Sequence, residues 1–199
     1  PCTEAALSSA DLVVVYGGDE TVRWVRGRLP PAVSLQAYRH RLGVALVGRD
    51  ALGAKADEVA AQAARAVALF DQRGCVSPHL ILVEEGGPLT AQEWGGLLAR
   101  SLDHLEEGLP SGVLDAGGAM EMQQVRGRGE MEEALGKGTR IYHGGAAAPW
   151  TVLVEPGEGL SPSCLGRTVR VLPVRDLSEV PSLLEGWRWH LQTVGAVGL

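Results

Sequence analysis

Three cysteines and five histidines are the side chains with most chemistry to offer, and their spacing sorts them. Cys2, Cys75 and Cys164 are an odd number without metal-ligand spacing, which argues against a disulfide framework or a zinc site and predicts a reducing cytoplasm. His40, His79, His104, His143 and His190 show no ligand spacing either; each reads as a solvated or hydrogen-bonded structural residue. Cys75 differs in its setting, Phe70-Asp71-Gln72-Arg73-Gly74-Cys75-Val76-Ser77-Pro78. A helical pattern ends there, Gly74 would permit an unusual backbone angle, and Pro78 fixes how the chain enters the apolar run that follows. A thiol on such a turn is held rigidly and can point into a cleft. Acyl transfer to sulfur needs that placement, with a backbone N–H nearby to stabilise an oxyanion. The competing reading of a lone cysteine is a small buried hydrophobe. Cys2 and Cys164 read as structural or incidental.

The elements that must position Cys75 alternate between strand-like and helix-like patterns, the signature of an α/β fold. Leu12–Tyr16 is a continuous β-branched run, as in a strand buried on both faces. It ends at Gly17-Gly18, and Asp19-Glu20-Thr21 opens a helix to about Arg28, with Asp19 as N-cap. Val33–Leu35 and Val44–Val47 read as strands. The Ala-rich segment 54–70 places Val59, Ala63, Ala66, Val67 and Phe70 at helical spacing. His79–Glu84 reads as a buried strand, and Thr90 as the cap of a long helix through about Glu107, with an amphipathic, solvated face over Leu97–Glu107. Between Gly108 and Gly138 the pattern supports only a helix over Glu130–Leu135. Arg140–His143, Thr151–Glu155 and Val169–Val174 read as strands, Leu177–Gly186 as a short helix, and His190–Val194 as a last strand. Trp187 and Trp189 alternate around Arg188 as on a strand edge, which suits packing or a subunit contact.

Composition narrows the classes. The chain has 199 residues, a net charge of −6 and 45% hydrophobic residues, so it is long enough for a sizeable core and has the wrong sign for a general nucleic-acid binder. Lys55 and Lys137 are the only lysines and asparagine is absent; the scattered arginines read as composition bias. No run reaches the length of a membrane span, no signal peptide is visible, and the absence of an initiator Met suggests a piece of a longer product.

The segment Phe70–His79 resembles the nucleophile loop of aldehyde dehydrogenases, and more closely that of bacterial acyl-CoA reductases, the LuxC-like branch of that superfamily. Val14-Val15-Tyr16-Gly17-Gly18-Asp19-Glu20-Thr21 resembles the superfamily's strand–Gly–helix element in the nucleotide domain. Gly166-Arg167-Thr168-Val169-Arg170-Val171-Leu172-Pro173-Val174 and His190-Leu191-Gln192-Thr193-Val194-Gly195 resemble LuxC-like segments. The likeness covers nearly the whole chain and is diffuse between Gly108 and Arg140.

The resemblance implies an aldehyde dehydrogenase-like three-layer α/β/α catalytic domain over residues 41–199, preceded over residues 1–40 by the end of a Rossmann-like nucleotide-binding domain. It implies Cys75 as the nucleophile of a fatty acyl-CoA (or acyl carrier protein) reductase, and NADPH or NADH as the cofactor. Gly17, Gly18, Asp19 and Glu20 would lie at the cofactor; on residues alone, they equally fit an ordinary strand-to-helix turn, and the two carboxylates would repel phosphate. An aldehyde-consuming partner or a homo-oligomer is also implied. Two departures from the hydrolytic enzymes stand out. Their general-base Glu falls at about Ala37-Tyr38-Arg39-His40, which lacks a carboxylate, as suits an enzyme that must keep water off an acyl-thioenzyme. Their ribose-binding Glu falls at Ser163 in Ser163-Cys164-Leu165-Gly166. Within this superfamily Trp187 and Trp189 could instead border an acyl-chain tunnel. The alternatives are a short-chain acylating aldehyde dehydrogenase, a glutamyl-phosphate reductase, or a non-enzymatic α/β binding domain in which Cys75 is packed and inert.

Overall fold

The chain divides after Arg41 into two compact units, Pro1–Arg41 and Leu42–Leu199, in a computed structural model that describes residues 2–39, 41–145, 148–156 and 160–199. His40 lies outside the described residues. The first unit runs α1 (Cys2–Ser9), β1 (Leu12–Gly17), α2 (Asp19–Arg26) and β2 (Ser34–Arg39), with β1 and β2 parallel. Leu7, Val15, Val22 and Val25 form its core. Burial on both faces is expected of the β1 run, but only one face is covered, because two strands and the neighbouring helices make a half-sandwich. Leu12, Val14 and Tyr16 are exposed, and the Tyr16 ring stacks on Tyr38 of β2 at 4.7 Å. The α2 cap also differs from expectation: Gly18 is the N-cap without a side-chain cap bond, and Asp19 is the first helical residue. Asp19 and Glu20 therefore act on the helix through its positive end rather than as caps.

The second unit carries a six-stranded sheet of β3 (Leu42–Val47), β4 (Pro78–Glu84), β5 (Arg140–His143), β6 (Thr151–Val154), β7 (Thr168–Val174) and β8 (Leu191–Val197). Their order is β5-β6-β7-β4-β3-β8, parallel except for β5 against β6. Every residue of β4 is buried, which the uninterrupted Leu80–Val83 run dictates for a central parallel strand. Its alternate side chains feed two cores. Ile81 and Val83 join Val47, Val152 and Val171 beneath α3 (Ala56–Ala68) and α4 (Ala91–Gly108). Leu80 and Leu82 join Val44 and Leu172 beneath the short helix α6 (Val180–Leu183). Thr90 caps α4 as the sequence predicts, in a full capping box with Glu93, and Trp94 is fully buried one turn on.

Three segments depart from the sequence reading. The Gly-rich stretch forms a 19-residue helix, α5 (Ala116–Ala134), capped by Asp115 accepting from Gly118 N at 2.8 Å. Glycine weakens helices, so propensity conceals α5 and packing supplies it. A Cβ at Gly129 would lie 2.7 Å from Leu153 and 2.9 Å from Ile141, so glycine brings the helix onto β5 and β6. Arg126, buried on the same helix, donates to Thr151 Oγ1 and Trp150 O. The Leu177–Gly186 helix is broken into 3-10 turns around α6. Trp187 and Trp189 sit in the turn before β8 rather than on a strand edge, and the Arg188 guanidinium covers the Trp189 ring at 4.6 Å. Among the described residues no helix is long and apolar enough to cross a membrane.

At the carboxyl edge of the sheet Glu84 closes β4. Its carboxylate accepts from Arg49 Nη2 at 2.7 Å, Arg49 N at 3.0 Å and Leu177 N at 3.3 Å. The Arg49 hydrogen bonds pull the Glu84 pKa from 4.5 down to about 2. A carboxylate depressed in the folded state stabilises fully above its ordinary value and loses that contribution as the pH falls through the folded one. Acid unfolding followed by circular dichroism between pH 5 and pH 2 should therefore be less steep in Glu84→Gln, which is less stable than the parent at pH 7 and converges on it near pH 2.

Candidate active site

Cys75 lies at the amino-terminal mouth of β4, opposite the Glu84 edge. Ser77 N donates to Gly74 O at 3.0 Å, closing a turn with Cys75 and Val76 at its centre. Cys75 is exposed while Ser77 and Pro78 behind it are buried, so the thiol stands proud of an immobilised base. The packed and inert alternative requires a buried thiol, and this one is not. Cys164 is the contrast: it is half-buried, and burial pushes its thiol pKa up.

The unusual backbone expected at Gly74 sits instead on Phe70, Asp71 and Gln72, with φ of 55°, 49° and 66°. These left-handed residues end α3, and each costs about 1–3 kcal/mol in a side chain that does not prefer the conformation. Their surroundings hold them there. Gln72, fully buried, donates from Nε2 to Pro78 O at 2.8 Å and so ties together the two ends of the Cys75 turn. Its Oε1 lies 3.1 Å from Ser163 Oγ, which also contacts Thr168 O and accepts from Leu165 N at 2.9 Å. Asp71 Oδ1 accepts from Arg167 Nε at 2.8 Å, and its Oδ2 from Gly112 N at 3.0 Å.

Arg167 is 2% exposed and is neutralised from two sides. Its Nη1 donates to Glu106 Oε1 at 2.6 Å and to Leu109 O at 2.8 Å. Glu106 in turn accepts from Ser111 N and Ser111 Oγ. A buried guanidinium needs this degree of satisfaction, because removing one member of such a set leaves charge stranded in the interior. Arg167 is itself left-handed, as are Leu165 and Gly166 before it. Two strained turns thus stand side by side and brace each other. The floor is Gly43 of β3, where a Cβ would lie 2.3 Å from Ser77 O and 2.9 Å from Val76 O. A small apolar cavity beside it is lined by Gly43, His79, Leu80, Leu160, Leu184 and Trp187.

Of the residues singled out from sequence, Cys75, Ser163, His79 and Trp187 gather in this region, Ser163 in the ties around Gln72 and Trp187 on the wall of the cavity. His79 is buried among the cavity residues. Gly17, Gly18, Asp19 and Glu20 belong to the first unit, at the carboxyl end of β1 and the start of α2. Ser163, at the position of the superfamily's ribose-binding Glu, is occupied by its bonds around Gln72 and Thr168. Among the described residues no cluster of His, Cys, Asp and Glu could hold a metal ion. Asp71, Gln72, Glu106 and Arg167 are the residues of this network that the sequence reading missed. Asp71 and Gln72 lie inside the cysteine motif and Arg167 inside the Gly166–Val174 segment, but nothing in their spacing shows that they meet.

A parallel α/β sheet covered on both faces, with a rigidly mounted cysteine where a central strand begins, defines an aldehyde dehydrogenase-like fold. Solved structures agree. A proline utilization A variant from Bradyrhizobium japonicum matches 94% of this chain and 20% of its own at TM-score 0.72 and 20% identity. An NADP-dependent glyceraldehyde-3-phosphate dehydrogenase from Bacillus halodurans matches 98% of this chain and 46% of its own at TM-score 0.65 and 16% identity. An indole-3-acetaldehyde dehydrogenase from P. syringae matches the same shares at TM-score 0.68 and 14% identity. The acyl-CoA reductase (LuxC) family model matches residues 2–198, and the chain belongs to that family. A long-chain acyl-protein thioester reductase from Aliivibrio fischeri is 25% identical over 182 residues, which are 89% of this chain and 35% of that protein. The chain thus spans about a third of the length of this curated relative.

The Gly43 floor gives a direct test of the mounting. Gly43→Ala should destabilise the protein by about 1–3 kcal/mol, the cost of overpacking. The loss is read as a lowered midpoint in denaturant titration followed by circular dichroism. A midpoint equal to the parent's would show that the turn does not rest on Gly43.

Proposed function

We propose that this chain is the cysteine-bearing part of a fatty acyl thioester reductase, with Cys75 as its nucleophile. The observation that carries the reading is an exposed thiol on a turn fixed from several sides, in a chain of the LuxC family. The Cys75 thiolate attacks the carbonyl of an acyl-CoA or acyl carrier protein thioester, forms an acyl-enzyme and expels the carrier thiol. The hydride that turns the acyl-enzyme into a thiohemiacetal comes from reduced nicotinamide, NADPH or NADH, when it is bound. Collapse of the thiohemiacetal returns the Cys75 sulfur and releases the aldehyde. The apolar cavity lined by Leu80, Leu160, Leu184 and Trp187 suits the first methylenes of the acyl chain.

Residues 1–40 serve in this reading as the end of the nucleotide-binding domain and residues 41–199 as the catalytic domain. The parallel β1-α2-β2 unit fits a nucleotide fold, and the α2 amides are not spent on a side-chain cap at Gly18. The carboxylates of Asp19 and Glu20 suit the ribose hydroxyls of the cofactor better than its phosphates, so Gly17, Gly18, Asp19 and Glu20 would border the ribose. The stretch Ala37-Tyr38-Arg39-His40, at about the place of the hydrolytic enzymes' base, has no carboxylate to activate water.

In the complete protein, Cys75→Ala should abolish both aldehyde formation and covalent acylation by an acyl-CoA, while Cys164→Ala retains them. Mass spectrometry of the protein after mixing with the thioester, without reduced nicotinamide, reads the acyl adduct directly. Full reductase activity in Cys75→Ala would refute the mechanism. A panel of thioesters of increasing chain length, with glutamyl phosphate as a further substrate, separates the fatty acyl reading from its short-chain and phosphate-ester relatives.

A further inference from the structure

We infer that Arg167 is a positioning residue for Cys75, acting through Asp71; the inference rests on Cys75 being the nucleophile. The α3 helix ends at Ala68, and the next residues of the chain lead straight to the thiol. Residues 70–72 are left-handed, a conformation that Phe and Gln adopt at a cost. Relaxed to the right-handed region, they would carry α3 on by a turn, a displacement of about 5 Å at the point where the Cys75 turn begins. The contacts that oppose this are few and specific. Asp71 is held by Arg167 Nε at 2.8 Å and by Gly112 N at 3.0 Å, and Gln72 by Pro78 O and Ser163 Oγ.

Arg167 can serve as the anchor because it is immobile itself. Its guanidinium is buried and is fixed by Glu106 and by the carbonyl of Leu109, both at the end of α4. Its backbone lies in the second left-handed turn, residues 165–167, which β7 follows directly. The clamp therefore references the cysteine turn to two elements of the scaffold, α4 and β7. A nucleophile must meet its carbonyl within a few tenths of an ångström, and a misplacement of about 1 Å costs about a hundredfold in rate. Arg167 touches no reacting atom in this scheme; its effect reaches the thiol through Asp71 and the backbone.

The test uses the complete protein and compares two reactions of the same thiol. Single-turnover acylation by an acyl-CoA requires an oriented carbonyl, whereas alkylation by iodoacetamide does not. Arg167→Met should slow acylation about a hundredfold per titratable Cys75, with alkylation little changed. Asp71→Ala should behave like Arg167→Met. Asp71→Asn should recover most of the rate, because asparagine tolerates the left-handed backbone and keeps an oxygen for Arg167 Nε. Should Arg167→Met fail to fold, the Asp71→Ala and Asp71→Asn pair carries the comparison. Acylation at the parent rate in the folded Arg167→Met or Asp71→Ala protein would overturn the inference, as would an Asp71→Asn protein as slow as Asp71→Ala. Covalent acylation in Cys75→Ala would instead overturn the nucleophile reading itself, so the two failures are distinguishable.

Discussion

Taking a guanidinium out of water costs several kcal/mol unless counter-charges and hydrogen bonds replace its hydration, and the Cys75 region is organised around one place where they do. Arg167 draws Asp71 from the end of α3, and Glu106 and the Leu109 carbonyl from the end of α4, onto the turn that opens β7. Because each partner comes from a different part of the chain, the set can form only when both helices and the sheet are in place. The local strain at residues 70–72 and 165–167 is therefore tolerated as a consequence of the global fold. Gln72 and Ser163 add a neutral tie between the same two turns. The thiol at the end of this construction is exposed, yet the backbone beneath it has little freedom.

The two edges of the parallel sheet carry different duties. Ligands of open α/β sheets commonly sit beyond the carboxyl ends of the strands. Here the carboxyl end of β4 is closed by Glu84, whose oxygens are shared between Arg49 and the Leu177 amide. The exposed Cys75 stands at the opposite edge, where strands begin. That arrangement leaves the strand starts to set the geometry of the site, which is why a glycine on β3 and a proline opening β4 matter to a cysteine on neither strand.

What could be read from the sequence follows from the range of the forces involved. The β4 strand was legible in its uninterrupted apolar run and the α4 start in Thr90 and Glu93, since both are local signals. The fold class was legible in the alternation of elements, and the turn at Cys75 in the Gly74 and Pro78 that flank it. The α5 helix was not, because its glycines speak against it and the contacts of Gly129 and Arg126 with the sheet decide for it. The left-handed residues were misplaced onto Gly74, the residue with the lowest intrinsic cost, whereas Asp71 and its neighbours are forced there by partners as far as 96 residues away. Pairings of that range have no periodicity to betray them.

The last strand has a consequence of another kind. β8 forms one margin of the sheet, hydrogen-bonded to β3 on one side, and most of its residues are exposed, Val194 and Val197 among them. A margin of this kind offers a row of backbone donors and acceptors to any extended segment that comes near. Natural proteins blunt such margins with charge or proline, and Leu191–Val197 contains neither. Among the described residues, the outer side of Leu191–Val197 is thus a place where a further strand could add to the sheet.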